Sequence, residues 1–200
     1  KHGVDFMFVP SVDEMYPSPE VEKVPQIDPG PVSNVLDGVR RPRHFDGVAT
    51  VVARLFAIIS PDKATFGEKD AQQLGVIQYV VDSLDLGIEI IPIPTVREPD
   101  GLAGSSRNTY LSSAERQASA VLFRALTAAK NKWDSGERSG DVLRETLVDV
   151  LATESLVETE YVSVADIGTF RELDRAEGPA RALLAVKIGS TRLIDNILLN

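Results

Sequence analysis

The chain has 200 residues, of which 43% are hydrophobic and 26% charged, a composition typical of a globular protein that can bury a core. Its formal net charge of −9 argues against a nucleic-acid partner, because binding the phosphate backbone requires a basic face. No apolar run reaches the roughly 20 residues of a membrane span, and with no cysteine and two histidines neither disulfides nor a metal site are expected. These features predict a cytoplasmic protein.

The first part of the chain combines one apolar run with many prolines. Residues 4–9 end at Pro10 and predict a strand buried on both faces, as in a parallel sheet. No initiator methionine precedes that strand, so the chain is expected to begin within a domain. Prolines recur between residues 11 and 38 and predict a loop-rich insertion around a short extended piece at residues 23–27.

A helix, a strand, a second helix and a second strand are predicted next. The first helix is indicated by apolar residues at helical spacing, namely Val48, Val52, Leu55 and Ile59. Residues 63–66 predict a strand, the stripe through Leu74 and Ile77 predicts a helix that Gly87 ends, and residues 88–93 predict another strand. A strand-helix-strand unit predicts parallel pairing.

The pattern changes near Thr95, where we place a boundary between a domain of residues 1–95 and one of residues 96–200. Ser112 and Glu115 predict a capping box for one helix that runs to Trp133, and Asp141 is predicted to cap the next helix. Residues 157–166, 181–188 and 192–199 alternate as antiparallel strands do, with a hairpin turn at residues 189–191. The predicted fold class is α/β, the latter part of a Rossmann-like parallel-sheet domain followed by a smaller α+β domain with an antiparallel sheet.

Residues 66–73 form the first segment that can carry chemistry, because they join the end of a predicted parallel strand to a helix. Free N–H groups and the helix dipole favour anions at that edge of a sheet. Gly67 would let a nucleotide approach the backbone, Lys69 offers a charge to phosphate, and Asp70 can accept from a ribose hydroxyl. The same residues are also typical of a solvated turn before a helix.

Two further polar segments can also be interpreted either as binding sites or as ordinary surface structure. Residues 100–108 end in Ser105, Ser106, Arg107 and Asn108, which can converge on a transferring phosphoryl or adenylyl group, or form a flexible linker. Residues 37–45 contain three arginines and His44. They can bind an anion, although a surface turn that balances an acidic chain is the more common structure, and a lone histidine is more often a buried hydrogen-bonded residue than a catalyst.

In this order and at these separations, the segments resemble the pantothenate synthetase family of the nucleotidyltransferase superfamily, which is related to class I aminoacyl-tRNA synthetases. The resemblance covers nearly the whole chain. It is carried by Met15-Tyr16-Pro17, Arg41-Pro42 with His44-Phe45, Phe66-Gly67-Glu68-Lys69-Asp70 with Gln72-Gln73, Ser105-Ser106-Arg107-Asn108, and Thr191-Arg192-Leu193 with Asp195-Asn196.

The resemblance implies a two-step, AMP-forming ligation in a cytoplasmic homodimer. The pantoate carboxylate attacks the α-phosphate of ATP, with Mg²⁺ accompanying the nucleotide, and the amine of β-alanine then displaces AMP from the pantoyl adenylate. The first step needs no general base because the carboxylate is already ionised near pH 7. In the second step the β-alanine ammonium must lose a proton, and the sequence does not identify the acceptor.

The resemblance also assigns roles to individual residues. Gly67, Glu68 and Asp70 would contact the adenosine end of ATP, Lys69 the phosphates, and Gln73 the pantoate. Val96 would lie against adenine. The remaining ATP-binding residues, Gly104, Ser105, Ser106 and Arg107, would form the phosphate loop. Lys69, Ser105, Ser106 and Arg107 would act in catalysis, with Lys69, Arg107 and the metal neutralising charge as two anions meet.

Three departures from the family's pattern are visible. Gly104 stands where the family has Met or Leu, and Asp37 where it has Glu. The family's His-x-Gly-His and Asn-Pro-x-Gln segments are not among these 200 residues, so the chain alone is expected to be inactive. The alternatives are a non-catalytic nucleotide-binding or assembly module, and another adenylate-forming ligase.

Overall fold

The structure, a computed structural model, describes residues 3–16 and 26–200. The described residues form seven α-helices and five strands. No described helix has both the length and the apolar character needed to cross a bilayer. The helices are α1 (Val12–Met15), α2 (Asp37–Arg40), α3 (His44–Ile59), α4 (Ala71–Ser83), α5 (Ser113–Ala118), α6 (Val121–Asp134) and α7 (Gly140–Leu151).

A parallel pair of strands forms the first sheet. Strand β1 (Lys63–Gly67) pairs with β2 (Glu89–Ile93) in a register that sets Lys63 beside Glu89 and Gly67 beside Ile93. Helix α4 connects the two strands and packs beside α3 over an apolar cluster that includes Phe56 and Ile77. The predicted strand-helix-strand unit is confirmed, and it places Gly67 at the carboxyl edge of the sheet.

The strand predicted at residues 4–9 is wrong. These residues form no ladder with any described strand, and the Phe6 side chain is 93% exposed. An apolar run becomes a buried strand only when a neighbouring strand satisfies its backbone groups and other elements cover its faces. The described part of the chain offers residues 4–9 neither. Residues 23–25 of the predicted extended piece lie outside the described residues, and Gln26 and Ile27 are not in a strand.

The second sheet is antiparallel, as predicted, in the order β3 (Val157–Asp166), β4 (Ala180–Ile188) and β5 (Thr191–Leu199). Gly189 and Ser190 turn the chain between β4 and β5, and Gly189 has a positive φ of 57° that suits glycine. Helices α6 and α7 pack on one face of this sheet through a buried apolar cluster that contains Leu126 and Leu147.

Three helix boundaries differ from the prediction, and the first is that α4 ends at Ser83, ahead of the predicted stop at Gly87. The capping box of Ser112 and Glu115 is confirmed, but the helix that it starts ends at Ala118. Its break coincides with Ser119, a buried residue whose hydroxyl donates to the carbonyl of Arg116 at 2.7 Å and competes with helical hydrogen bonding. The cap of α7 is Ser139 and not Asp141, because the chain turns into the helix two residues earlier and the Ser139 hydroxyl accepts from the N–H of Val142.

A third apolar cluster packs helices α3 and α4, which lie beside the parallel sheet, against residues of the antiparallel part. Phe45 of α3 and Val76 and Val80 of α4 pack with Phe170 and Leu183 from the antiparallel part. This packing sets the amino end of α4 beside β5 and so builds the site described next. The division at Thr95 stays a prediction.

Candidate active site

The strongest candidate site lies where β1 ends and α4 begins. Gly67 closes the strand, residues Glu68–Asp70 form a 3₁₀ turn, and α4 starts at Ala71. A Cβ atom placed on Gly67 would meet no atom within 4 Å, so the space beside its backbone is open to a ligand. The first N–H groups of a helical turn lack partners within the helix and favour an anion there.

Residues from two sequence segments meet in one cavity at this turn. Lys69, Asp70 and Gln73 line it together with Arg41 and His44. Arg41 and His44 thus lie in a turn at the surface, as the more common interpretation of residues 37–45 has it, and also border this cavity. Sequence separation hid this arrangement, since the turn and the β1 edge become neighbours only through the packing of α3 against α4.

Arg107 lines an adjoining cavity of about 380 Å³ with Arg41, Tyr110 and the β4–β5 turn. Because Arg41 borders both cavities, Lys69 and Arg107 lie on a common concave surface. The Arg107 N–H donates to the Ser105 hydroxyl oxygen at 3.2 Å, which starts the 3₁₀ turn Ser106–Tyr110, and the Ser106 side chain is exposed.

The segment after β2 leads directly into the Ser105–Arg107 loop. Val96 is 77% exposed, and its carbonyl accepts from the N–H of Gly104 at 2.8 Å. A Cβ atom at Gly104 would come within 3.3 Å of that carbonyl oxygen, so a larger residue there needs a small shift of the loop. Glu68 and Thr95 border one further cavity of about 200 Å³, which brings this segment close to the β1 edge.

The charges of the site that have no salt-bridge partner are mostly positive, with Asp70 as the one lining carboxylate that is likewise unpaired among the described residues. Among residues 3–16 and 26–200, Arg41, Lys69 and Arg107 form no salt bridge with a carboxylate. Three such cations around one concave surface of a chain with net charge −9 make a local site for an anion. Burial, and next the positive charge of Arg41, lower the pKa of His44 below its ordinary value of 6.5.

The lowered pKa of His44 predicts a pH-dependent stability. The folded protein favours neutral imidazole, while the unfolded chain takes up a proton as the pH falls through 6.5, so the unfolded state binds more protons and stability decreases on acidification. We expect His44→Gln to remove part of the fall in free energy of unfolding between about pH 7.5 and 5.5, measured by urea denaturation. Equal pH slopes for both proteins would contradict the prediction.

A partly buried ion-pair network, centred on the buried Asp37, supports the turn that carries Arg41. The Arg192 guanidinium donates to Asp37 at 2.7 Å and to Glu160 at 2.7 Å, and the Tyr161 hydroxyl donates to Asp37 at 3.1 Å. Burial acts to lower the pKa of Arg192, but its hydrogen bonds to Asp37 and Glu160 outweigh burial and raise it. Burial also raises the pKa of Tyr161, which therefore stays protonated as the donor.

Gln72 completes that support from α4. Its side-chain oxygen accepts from the N–H of Asp37 at 3.1 Å, and its side-chain nitrogen donates to the carbonyls of Val32 and Val35, both at 2.7 Å. Gln72 and Gln73 both line the cavity, and Gln72 also holds the turn. Arg192 and Gln72 were part of the motifs quoted above, but the sequence assigned no role to either.

Comparison with known proteins gives one family. The family model described as pantoate-beta-alanine ligase matches residues 1–198. A pantothenate synthetase from Chloroflexus aggregans is 54% identical over 199 residues, which cover 98% of this chain and 70% of that protein.

Two solved structures extend the comparison. Pantothenate synthetase from Thermus thermophilus is similar with a TM-score of 0.91 and 40% identity, over 98% of this chain and 70% of that one. A pantoate-beta-alanine ligase from Francisella tularensis, solved in complex with beta-gamma ATP and beta-alanine, is similar with a TM-score of 0.69 and 29% identity, over 93% of this chain and 61% of that one.

Proposed function

The chain belongs to the pantoate–β-alanine ligase family, and on that premise we propose that it takes part in the ATP-dependent condensation of pantoate with β-alanine. In the first step a pantoate carboxylate oxygen bonds to the α-phosphorus of ATP and pyrophosphate leaves. In the second step the β-alanine nitrogen bonds to the acyl carbon, AMP leaves, and the amine proton passes to solvent or to a base.

The observation that carries this proposal is the group of cations around one concave surface, none of which pairs with a carboxylate among the described residues. Attack by a carboxylate on a triphosphate brings two anions together, and Arg41, Lys69 and Arg107 would offset that repulsion. The solved relative from Francisella tularensis carries beta-gamma ATP and β-alanine, which supports the choice of substrates.

We assign the remaining positions as the family resemblance implies. Gly67, Glu68, Asp70 and Val96 would receive the adenosine part, and Gln73 would receive pantoate. Gly104, Ser105 and Ser106 would close on the phosphates together with Arg107. Within the loop Ser105–Arg107, the hydrogen bond between the Ser105 hydroxyl and the Arg107 N–H supports a fixed loop conformation.

Magnesium would enter with the nucleotide, because the phosphate oxygens are the hard ligands that Mg²⁺ prefers. Residues 3–16 and 26–200 gather no group of three or more His, Cys, Asp or Glu side chains that could hold an ion.

We further propose cytoplasmic action, a homodimer, and a division into a nucleotide-binding part at residues 1–95 and a lid at residues 96–200.

The function is tested by pantoate-dependent exchange of pyrophosphate into ATP, followed by β-alanine-dependent release of AMP, with the full chain that the gene encodes. We expect both activities from the full chain. For residues 1–200 alone we expect the rate of AMP formation to be at least about a thousandfold lower, as when several cooperating groups are removed. The exposed residues 4–9, and a β1 edge that pairs on only one side within the described chain, support that second expectation.

Each arm has an outcome that counts against the proposal. Exchange driven by another carboxylic acid and not by pantoate would indicate a different adenylate-forming ligase. Nucleotide binding by the full chain without exchange would favour a non-catalytic module. Turnover by residues 1–200 within about tenfold of the full chain would mean that Lys69, Arg107 and their neighbours suffice.

A further inference from the structure

We infer that Asp195 and Asn196, adjacent on β5, are positioning residues that hold the nucleotide turn and the phosphate loop at a fixed separation. The inference rests on the proposed function, since it concerns the two segments to which ATP binding is assigned. It follows from two sets of hydrogen bonds that leave neighbouring positions of one strand.

Asn196 holds the turn that follows β1. Its side-chain nitrogen donates to the carbonyl of Glu68 at 3.0 Å and to the carbonyl of Lys69 at 2.9 Å. Its side-chain oxygen accepts from the Arg181 guanidinium, and the residue is only 5% exposed. The reverse amide orientation would set an oxygen against two carbonyl oxygens and an NH₂ group against a guanidinium, so these partners fix the orientation.

Fixing those two carbonyls also fixes two donors. The carbonyl of residue 68 and the N–H of Lys69 belong to one planar peptide unit, as do the carbonyl of residue 69 and the N–H of Asp70. No cis peptide occurs among the described residues, so each N–H points away from Asn196 while its carbonyl points toward it. The amide of Asn196 therefore fixes the direction of the first two N–H donors of the turn.

Asp195 holds the segment that leads to the phosphate loop. Its side chain is fully buried and accepts from both terminal nitrogens of Arg97, at 2.7 and 3.0 Å. Arg97 also donates to the carbonyl of Gly101 at 3.0 Å and to that of Asn196 at 3.2 Å. A bidentate pair of this kind sets position as well as charge.

One strand thus fixes both segments. Asn196 holds residues 68–69 and Asp195 holds residues 97–101, and β5 is itself fixed along its whole length by pairing with β4. The separation between Lys69 and the Ser105–Arg107 loop is then a property of β5. Loss of either side chain should loosen one segment while the sheet stays intact.

The test compares Asn196→Asp, which keeps the side chain's shape but turns the donor into an acceptor, with Asn131→Asp on the exposed face of α6. We expect amide hydrogen exchange at residues 68–72 to rise at least about tenfold in the first variant, with β3 and β4 unchanged. Affinity for a non-hydrolysable ATP analogue should fall about tenfold by calorimetry, the loss expected for one misplaced charge-assisted contact. In the active full chain, the KM for ATP should rise while the KM for β-alanine stays constant.

Asp195→Asn tests the other segment. In this variant we expect faster amide hydrogen exchange at residues 97–107 and no change at residues 68–72. Asn196 also lines the cavity that contains Lys69, so Asn196→Ser, which removes the amide without adding charge, is measured beside the aspartate variant to separate lost positioning from direct repulsion of the nucleotide. Unchanged exchange at residues 68–72 in both Asn196 variants would overturn the inference. Faster exchange without analogue binding in any protein, wild type included, would support the positioning role and reject the nucleotide function.

Discussion

Replacing Lys69 by alanine in the full chain that the gene encodes is expected to lower pantoate-dependent release of pyrophosphate by about a hundredfold or more. Lys69 lies in the turn at the carboxyl end of β1, lines the cavity that contains Gln73, and has no carboxylate partner among the described residues. Removing a preorganised cation from a site where negative charge develops typically costs a factor of about 10²–10³ in rate. Lys69→Glu should be more damaging, since it adds a repulsive charge.

Lys63→Ala is the matched control for this prediction. Lys63 begins the strand that Lys69 follows, and its side chain is 61% exposed in a pair with Glu89. Exposed pairs contribute little, so the control should keep its rate and lose less than about 1 kcal/mol of stability. A Lys69→Ala enzyme with a rate near that of the control would place the triphosphate elsewhere.

The elements that the sequence predicted correctly are those whose pattern of apolar and turn residues lies entirely within the element itself. The parallel unit of β1, α4 and β2 and the three antiparallel strands agree with prediction, because period and turn residues are local properties. The run at residues 4–9 has an equally good apolar pattern but no partner in the described chain, and strand formation depends on partners. The break at Ser119 was missed for a similar reason, since a serine in a helical pattern does not reveal that its hydroxyl bonds to Arg116.

The sequence proposed individual residues of the candidate site but did not predict which segments come together to form it. Lys69 was proposed from the turn after a parallel strand, Arg107 from its loop, and Gln73 from the family resemblance. Arg41 and His44 were given a weaker interpretation, because only the packing of α3 and α4 brings their turn to the β1 edge. Arg192, Asp195 and Asn196 act through buried partners that are far away in sequence, and no spacing rule reaches that far.

Arg192→Ala is expected to destabilise the protein by about 2–3 kcal/mol, at or below the lower end of the cost of breaking a buried ion pair, because Arg192 and Glu160 are partly buried. The side chains of Asp37 and Glu160 are 8% and 15% exposed, so a buried and a partly buried carboxylate would be left without the cation that neutralises them. The same change should weaken the turn that carries Arg41, because Asp37 begins α2 immediately before it. The measurement is the midpoint of urea unfolding near pH 7, followed by affinity for an ATP analogue.

Two further variants separate charge from shape at this position. Arg192→Lys keeps the charge but cannot donate to Asp37 and Glu160 through a planar fork, so its loss should lie between those of the wild type and Arg192→Ala. Arg124→Ala removes an exposed arginine from α6 and should change stability by less than about 0.5 kcal/mol. If Arg192→Ala behaved like Arg124→Ala, water would be solvating Asp37 and Glu160, and the network could not be what holds Arg41 beside Lys69.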